Sequence, residues 1–132
     1  MNWDKYFIKI AKIVASKSKD PVTQVGCIIV DYENHIIGTG YNGMIQGVNE
    51  EGMWEDKHKY VIHAELNAIL HSYKQPFDGA TLYCTMFPCS ECAKAIATVK
   101  IRRVVYVDDK YSNPHIKHLF NLCGIELKQM KG

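Results

Sequence analysis

From residue 80 onward the chain alternates strand-like runs with helical stretches, and every connection between them is short. The runs are 80–85 (ATLYCT), 102–107 (RRVVYV) and 125–128 (IELK), and the stretches between them are 89–99 and 114–122. A strand–helix–strand–helix–strand order predicts parallel strands joined by right-handed crossovers. Parallel strands need cover on their faces, so this part of the chain demands helices packed on a sheet. Pro88 is suited to a first helical turn, where its missing N–H has no acceptor to lose. Gly124 reads as the helix C-cap before the last strand.

The earlier residues add to the same sheet. Trp3, Phe7, Ile10, Ala11 and Val14 recur at steps of three and four, and Ile8 and Ile13 widen that face, which predicts an amphipathic helix over 3–18. Asp20-Pro21 ends it, because proline disfavours helix at the residue before it. Residues 25–31 (VGCIIVD) are continuously apolar, and 36–42 (IIGTGYN) follow a turn at Glu33-Asn34. The pair reads as an antiparallel hairpin with a strand near the centre of the sheet. Residues 43–60 carry glycine and charge without a period and read as a long loop, a feature often functional in a compact domain. Residues 63–74 read as a helix that packs through Ala64, Leu66, Ala68, Ile69 and Leu70. The expected fold is a three-layer α/β/α sandwich on a five-stranded mixed sheet, with 1–132 as a single domain.

Composition narrows the function. Apolar residues make up 47% of the 132 and charged residues 23%, which excludes a disordered chain, a fibre or a small disulfide scaffold. Sixteen basic residues against fourteen acidic ones give a formal charge of +2, and only two of the basic residues are arginine, so bulk electrostatics give no reason to expect a nucleic-acid partner. No apolar run approaches the roughly 18 residues needed to span a membrane. The opening MNWDKYFIKIAK lacks the apolar core of a signal peptide. The five cysteines, at 27, 84, 89, 92 and 123, are odd in number and read as metal ligands or buried thiols in a reducing compartment; a cytoplasmic location is expected.

Two segments carry chemistry: His63-Ala64-Glu65 and Pro88-Cys89-Ser90-Glu91-Cys92. One imidazole and two thiolates make three good zinc ligands, and three protein ligands leave a position for water, where a structural site is normally closed by four. Both segments begin predicted helices, whose partial positive charge favours ionised cysteines. In a mid-helix, His63 and Glu65 would diverge by about 200°. In a first turn both can reach one site, His63 on the metal and Glu65 facing the water as a proton shuttle. Taken singly, a histidine at a helix start is usually a satisfied polar group, and a lone CxxC is redox-active or structural. Together, H-x-E before P-C-x-x-C is the signature of zinc nucleobase deaminases.

The chain resembles the deoxycytidylate (dCMP) deaminases in collinear stretches from 18 to 111. These are Ser18-Lys19-Asp20-Pro21 with Gln24-Val25-Gly26, Gly40-Tyr41-Asn42-Gly43-Met44, His63 to Ile69, Phe87 to Lys94, and Asp109-Lys110-Tyr111. It departs from that pattern at Ile45, where the family usually has proline, and at Cys27, where a small residue such as alanine is common. The resemblance implies that His63, Cys89 and Cys92 bind one Zn²⁺ and that Glu65 moves protons between water, N3 of cytosine and the departing amine. It implies substrate contacts from Asn42 to a sugar hydroxyl, from the Ala64 N–H to the pyrimidine carbonyl and from the Thr85 carbonyl to the exocyclic amine. Tyr111 and Lys19 are candidates for the phosphate end, set against plain readings as a packed aromatic and a solvated lysine. The family is typically a homohexamer regulated by dCTP and dTTP, so Tyr41 and Gly43 become candidate effector residues, with Mg²⁺ accompanying a triphosphate effector.

His35, His58, His71, His115 and His118 read as turn, loop or helix-surface residues. Competing readings are a deaminase acting on tRNA or a polynucleotide, disfavoured by the charge, and a nucleoside cytidine deaminase, which commonly has cysteine as first ligand. A zinc-stabilised binding module is the third, and it would have no use for Glu65.

Overall fold

The computed structural model describes residues 1–72 and 77–132. The apolar run in the first predicted strand becomes β1 (Gly26–Val30), and every residue in it is buried. Side chains alternate across a strand, so a run buried on both faces needs two separate covers. Cys27 and Ile29 face the larger core cluster, and Ile28 and Val30 face the smaller one. The same division continues through β3 (Thr81–Met86), with Leu82 and Cys84 opposite Tyr83. It holds again in β4 (Arg103–Asp108), with Val104 and Tyr106 opposite Val105.

One cover is α1 (Trp3–Ala15), whose Phe7 and Ile8 fill the smaller cluster. The other is made by α2 (Ala64–Leu70), α3 (Ser90–Thr98) and α4 (Pro114–Leu122), through Ala64, Ala68, Ala93, Ile96, Ile116 and Phe120. With β2 (Ile36–Tyr41) and β5 (Glu126–Gln129), the sheet order is β2-β1-β3-β4-β5. The β1 strand is antiparallel to both of its neighbours, while β3, β4 and β5 run parallel. The three-layer sandwich and its mixed sheet are as expected.

Several local details differ from the sequence reading. The first helix ends at Ala15 rather than at 18, and Leu66 and Leu70 of α2 are exposed rather than packed, because α2 meets the sheet through Ala64, Ala68 and Ile69. The 43–60 segment is not simply a loop. Gly43 bridges Ile62, and Trp54–Lys59 form a 3-10 turn with no buried residue. Such short segments stand on i,i+3 hydrogen bonds and leave no apolar period to read. The second helix stops at Leu70, and its expected residues 73 and 74 lie outside the described residues. The C-cap of α4 is Cys123; Gly124 follows with φ of 69°, the left-handed position that glycine adopts without a Cβ penalty.

Strand directions decide where a site can form. Gly26 pairs with Tyr41 across β1–β2, and Cys27 pairs with Cys84 across β1–β3. The start of β1 therefore lies beside the ends of β2 and β3, on one edge of the sheet. A Cβ on Gly40 would collide with the α2 backbone at Ala64 and Ala68. That close approach seats the first turn of α2 against the same edge.

Candidate active site

His63 is the N-cap of α2 and Cys89 the N-cap of α3, both with extended backbones. The Cys89 sulfur accepts the Cys92 backbone N–H at 3.5 Å, so one thiolate caps the helix that carries the next cysteine. His63 Nδ1 lies 3.3 Å from Cys89 Sγ and 3.5 Å from Cys92 Sγ. The three donor atoms gather within 4.8 Å of one another. Two sulfurs and one imidazole nitrogen at two helix starts fit a zinc ion with a coordination position to spare. Asp31, Glu33 and His35 also gather donor atoms. There the Asp31 carboxylate accepts the Glu33 and His35 backbone N–H groups of the β1–β2 turn.

The electrostatics favour ionisation of Cys89 but not of Cys92, where the helix starts predicted both. A hydrogen bond from Cys92 and another from His63 pull the Cys89 thiol down to about 3. The hydrogen bond to Cys89, then burial, hold the Cys92 thiol up, so metal binding must displace that proton. The partnership with Cys89 raises His63. Glu65 is 4% exposed, and burial raises its proton affinity above that of an ordinary glutamate. Cys84 donates its thiol hydrogen to Glu65 Oε1 at 3.5 Å. The sequence reading did not single out Cys84; its only signal was period-2 alternation, which places it on the α2 face of β3.

A cavity of about 390 Å³ opens beside this cluster. Its wall includes His63, Ala64, Glu65 and Cys89 at one end and Asp20, Asn42, Lys57 and Tyr111 elsewhere. As first residue of α2, Ala64 has a backbone N–H without an intrahelical acceptor. Asn42 lines the cavity, and its amide braces the wall: Nδ2 donates to Thr23 O (2.9 Å) and Asp20 Oδ2 (3.2 Å), and Oδ1 accepts the Val25 N–H (2.9 Å). Thr85 stands beside the cavity, with its hydroxyl accepting the Gly26 N–H, while Met86 and Phe87 line it.

Asp20 and Lys57 went unread as a pair because 37 residues separate them. Lys57 Nζ reaches both Asp20 oxygens, at 3.1 and 2.8 Å. Burial pushes the Asp20 carboxyl up, but hydrogen bonds from Lys57 and from the Val22 and Thr23 N–H groups outweigh it and leave the group below the ordinary 3.8.

Lys19 is placed elsewhere. It lines a second cavity of about 430 Å³ together with Tyr41, Gly43, Trp54, Asn67 and His71, and its ammonium pairs with Glu50 at 3.1 Å.

This fold, with a His-Cys-Cys cluster beside a buried glutamate, defines a class of zinc-binding deaminases. A sequence model of the cytidine and deoxycytidylate deaminase zinc-binding region matches residues 1–108, and the chain belongs to that family. Within it, the chain is 41% identical to a probable deoxycytidylate deaminase of Drosophila melanogaster, across 98% of this chain and 72% of the relative. It is 38% identical to the human deoxycytidylate deaminase, across 98% of this chain and 80% of that one. The solved structure of dCMP deaminase from cyanophage S-TIM5, in complex with dCMP and dUMP, superposes with a TM-score of 0.81 at 28% identity. That match covers 96% of this chain and 95% of the phage chain.

Proposed function

We propose that this chain hydrolyses dCMP to dUMP and ammonia. One observation carries the reading: a buried glutamate of raised proton affinity stands beside a zinc-type donor set at the end of a nucleotide-sized cavity. His63, Cys89 and Cys92 would hold a Zn²⁺, which would supply Lewis acidity that brings the pKa of a water near neutrality. Glu65 takes a proton from the attacking water and delivers it to N3 of cytosine as oxygen adds to C4. It then carries the proton of the new C4 hydroxyl to the amino nitrogen, the C–N bond breaks as the C4 carbonyl forms, and ammonia leaves. The Ala64 N–H holds the pyrimidine carbonyl, the Thr85 carbonyl receives the exocyclic amine, and Asn42 fixes the wall against the sugar. Tyr111 stands at the phosphate end.

The second cavity is the proposed effector site for dCTP and dTTP, with Mg²⁺ accompanying the triphosphate. Tyr41 and Gly43 line it, and Trp54 offers an aromatic surface for a base. A homohexamer is in keeping with the exposed apolar side chains Tyr41, Ile45, Leu66 and Leu70. The unpaired cysteines, with Cys123 exposed, suit a reducing cytoplasm. The test is ammonia release from dCMP, deoxycytidine, dCTP and CMP, each with and without dCTP or dTTP. The expected outcome is fastest release from dCMP with a response to the effectors. Equal kcat/KM for deoxycytidine and dCMP would assign a nucleoside deaminase instead.

A further inference from the structure

Among the described residues that line the catalytic cavity, Lys57 is the sole lysine or arginine. The same wall carries two carboxylates, Asp20 and Glu65. A phosphate monoester brings a charge of about −1.5 to −2 at neutral pH, so those carboxylates by themselves would turn a nucleotide away in favour of its nucleoside. Discrimination in the other direction needs a cation in the wall.

We propose that Lys57 selects a phosphorylated nucleotide over its nucleoside, with Asp20 as the positioning residue that holds the ammonium at the cavity wall. This rests on the dCMP reading and names the group that enforces it. Two of the three ammonium hydrogens are engaged by Asp20 Oδ1 and Oδ2, which leaves one for a ligand oxygen. The Asp20 side chain is 3% exposed and that of Lys57 23%, so the carboxylate is buried behind a partly accessible ammonium. Asp20 does not depend on Lys57 alone. The Val22 and Thr23 N–H groups and the Asn42 amide also donate to it. These fixed donors spread the carboxylate charge and leave the ammonium with attraction for a second anion. Lys57 sits in the Trp54–Lys59 turn, and its ion pair ties that otherwise unburied turn to the wall. Lys19, the sequence's other candidate for this task, lines the second cavity beside Glu50 instead.

The experiment uses the zinc-loaded protein and two readouts. Steady-state kinetics compare dCMP with deoxycytidine, and calorimetric titration compares the product dUMP with deoxyuridine. Lys57→Met should lower kcat/KM for dCMP and affinity for dUMP by about tenfold or more, while the values for the nucleosides fall by less than about threefold. Lys57→Arg should recover most of the preference, since it restores the charge. Asp20→Asn should weaken the preference mainly through KM.

Parallel losses for nucleotide and nucleoside in Lys57→Met would overturn the assignment and leave Lys57 a structural tie. Wild-type protein binding dUMP no more tightly than deoxyuridine would also overturn it. The two readings fail separately. Lys57-dependent dUMP binding without ammonia release from dCMP would sink the deaminase reading and keep the selector. Turnover of dCMP that is indifferent to Lys57→Met would do the reverse.

Discussion

The catalytic cavity and the second cavity share three chain segments, with neighbouring residues sent to opposite sides. Asp20 lines the first and Lys19 the second; Asn42 lines the first, and Tyr41 and Gly43 the second; Lys57 and His58 line the first, and Trp54 the second. Among the described residues each cavity holds one lysine–carboxylate pair, and the pairs differ in kind. Asp20–Lys57 has side-chain exposures of 3% and 23%, and backbone donors surround its carboxylate. Lys19–Glu50 stands at 72% and 30%. The first geometry is fixed before a ligand arrives. The second is held weakly enough for an anionic ligand to take the lysine. Ser18, which precedes Lys19 in the chain, donates its hydroxyl to the Asn42 carbonyl at 2.7 Å and so anchors this bend to the catalytic side.

The sharpest way to separate the cavities is to disable chemistry in one and leave the other intact. Glu65→Gln keeps the shape of the side chain and removes its ability to carry a proton. The loss in kcat should be about 10²–10⁴-fold, the usual contribution of general acid–base catalysis. Zinc content and effector binding at the second cavity should be retained. Activity within about tenfold of the native enzyme would contradict the role of Glu65.

Next in size is metal loss. Cys92→Ala removes a ligand that sits in the first turn of α3, and zinc per chain should fall from one to near zero by metal analysis. Thermal stability should fall with it, because the site ties the starts of α2 and α3 together. Full zinc occupancy in this variant would break the proposed ligand set.

These effects fall on residues that were legible in the sequence, and the reason is local. His63, Glu65, Cys89 and Cys92 sit in first helical turns, where spacing of two or three residues translates directly into geometry. The strands were legible because a sheet covered on both faces writes short, continuously apolar runs into β1, β3 and β4. Lys57 was not legible. Its partner Asp20 is 37 residues away, and the turn that carries it buries nothing, so no periodic pattern marks it. Lys19 was misleading for a related reason: it neighbours Asp20 in sequence, and adjacent residues at that bend serve different cavities.

Asp20→Asn probes the fixed pair. An asparagine oxygen could still accept from Val22 and Thr23. Its NH₂ would then face two donors, the Asn42 amide and the Lys57 ammonium. The expected destabilisation is about 1–3 kcal/mol, from lost charge-assisted hydrogen bonds and unpaired donors. Its pH dependence has a fixed sign. The folded Asp20 titrates below the ordinary 3.8, so its stabilisation is complete above that value and is lost as pH falls through the folded one. The stability difference between native protein and Asp20→Asn should therefore shrink on acidification below the ordinary aspartate range, as chemical denaturation across that range would show. A difference that grows in acid would place the charge elsewhere.

Lys19→Gln makes the mildest cut. The lysine faces solvent, its glutamate partner is only partly buried, and both side chains lose rotamer freedom to meet, so the pair contributes about 0–1 kcal/mol. Salt screens what remains, since the Debye length is about 8 Å at physiological ionic strength. Denaturation midpoints for Lys19→Gln and the native protein should thus converge as salt is raised, whereas those for Asp20→Asn should stay apart. The functional effect should also fall on the other cavity. Losing the lysine should weaken binding of a triphosphate effector while leaving the preference for dCMP over deoxycytidine in place, because that preference rests on Lys57. If Lys19→Gln destabilised the protein as much as Asp20→Asn and its cost ignored salt, the two pairs would be equivalent. The distinction between a fixed catalytic wall and a yielding wall at the proposed effector cavity would then fail.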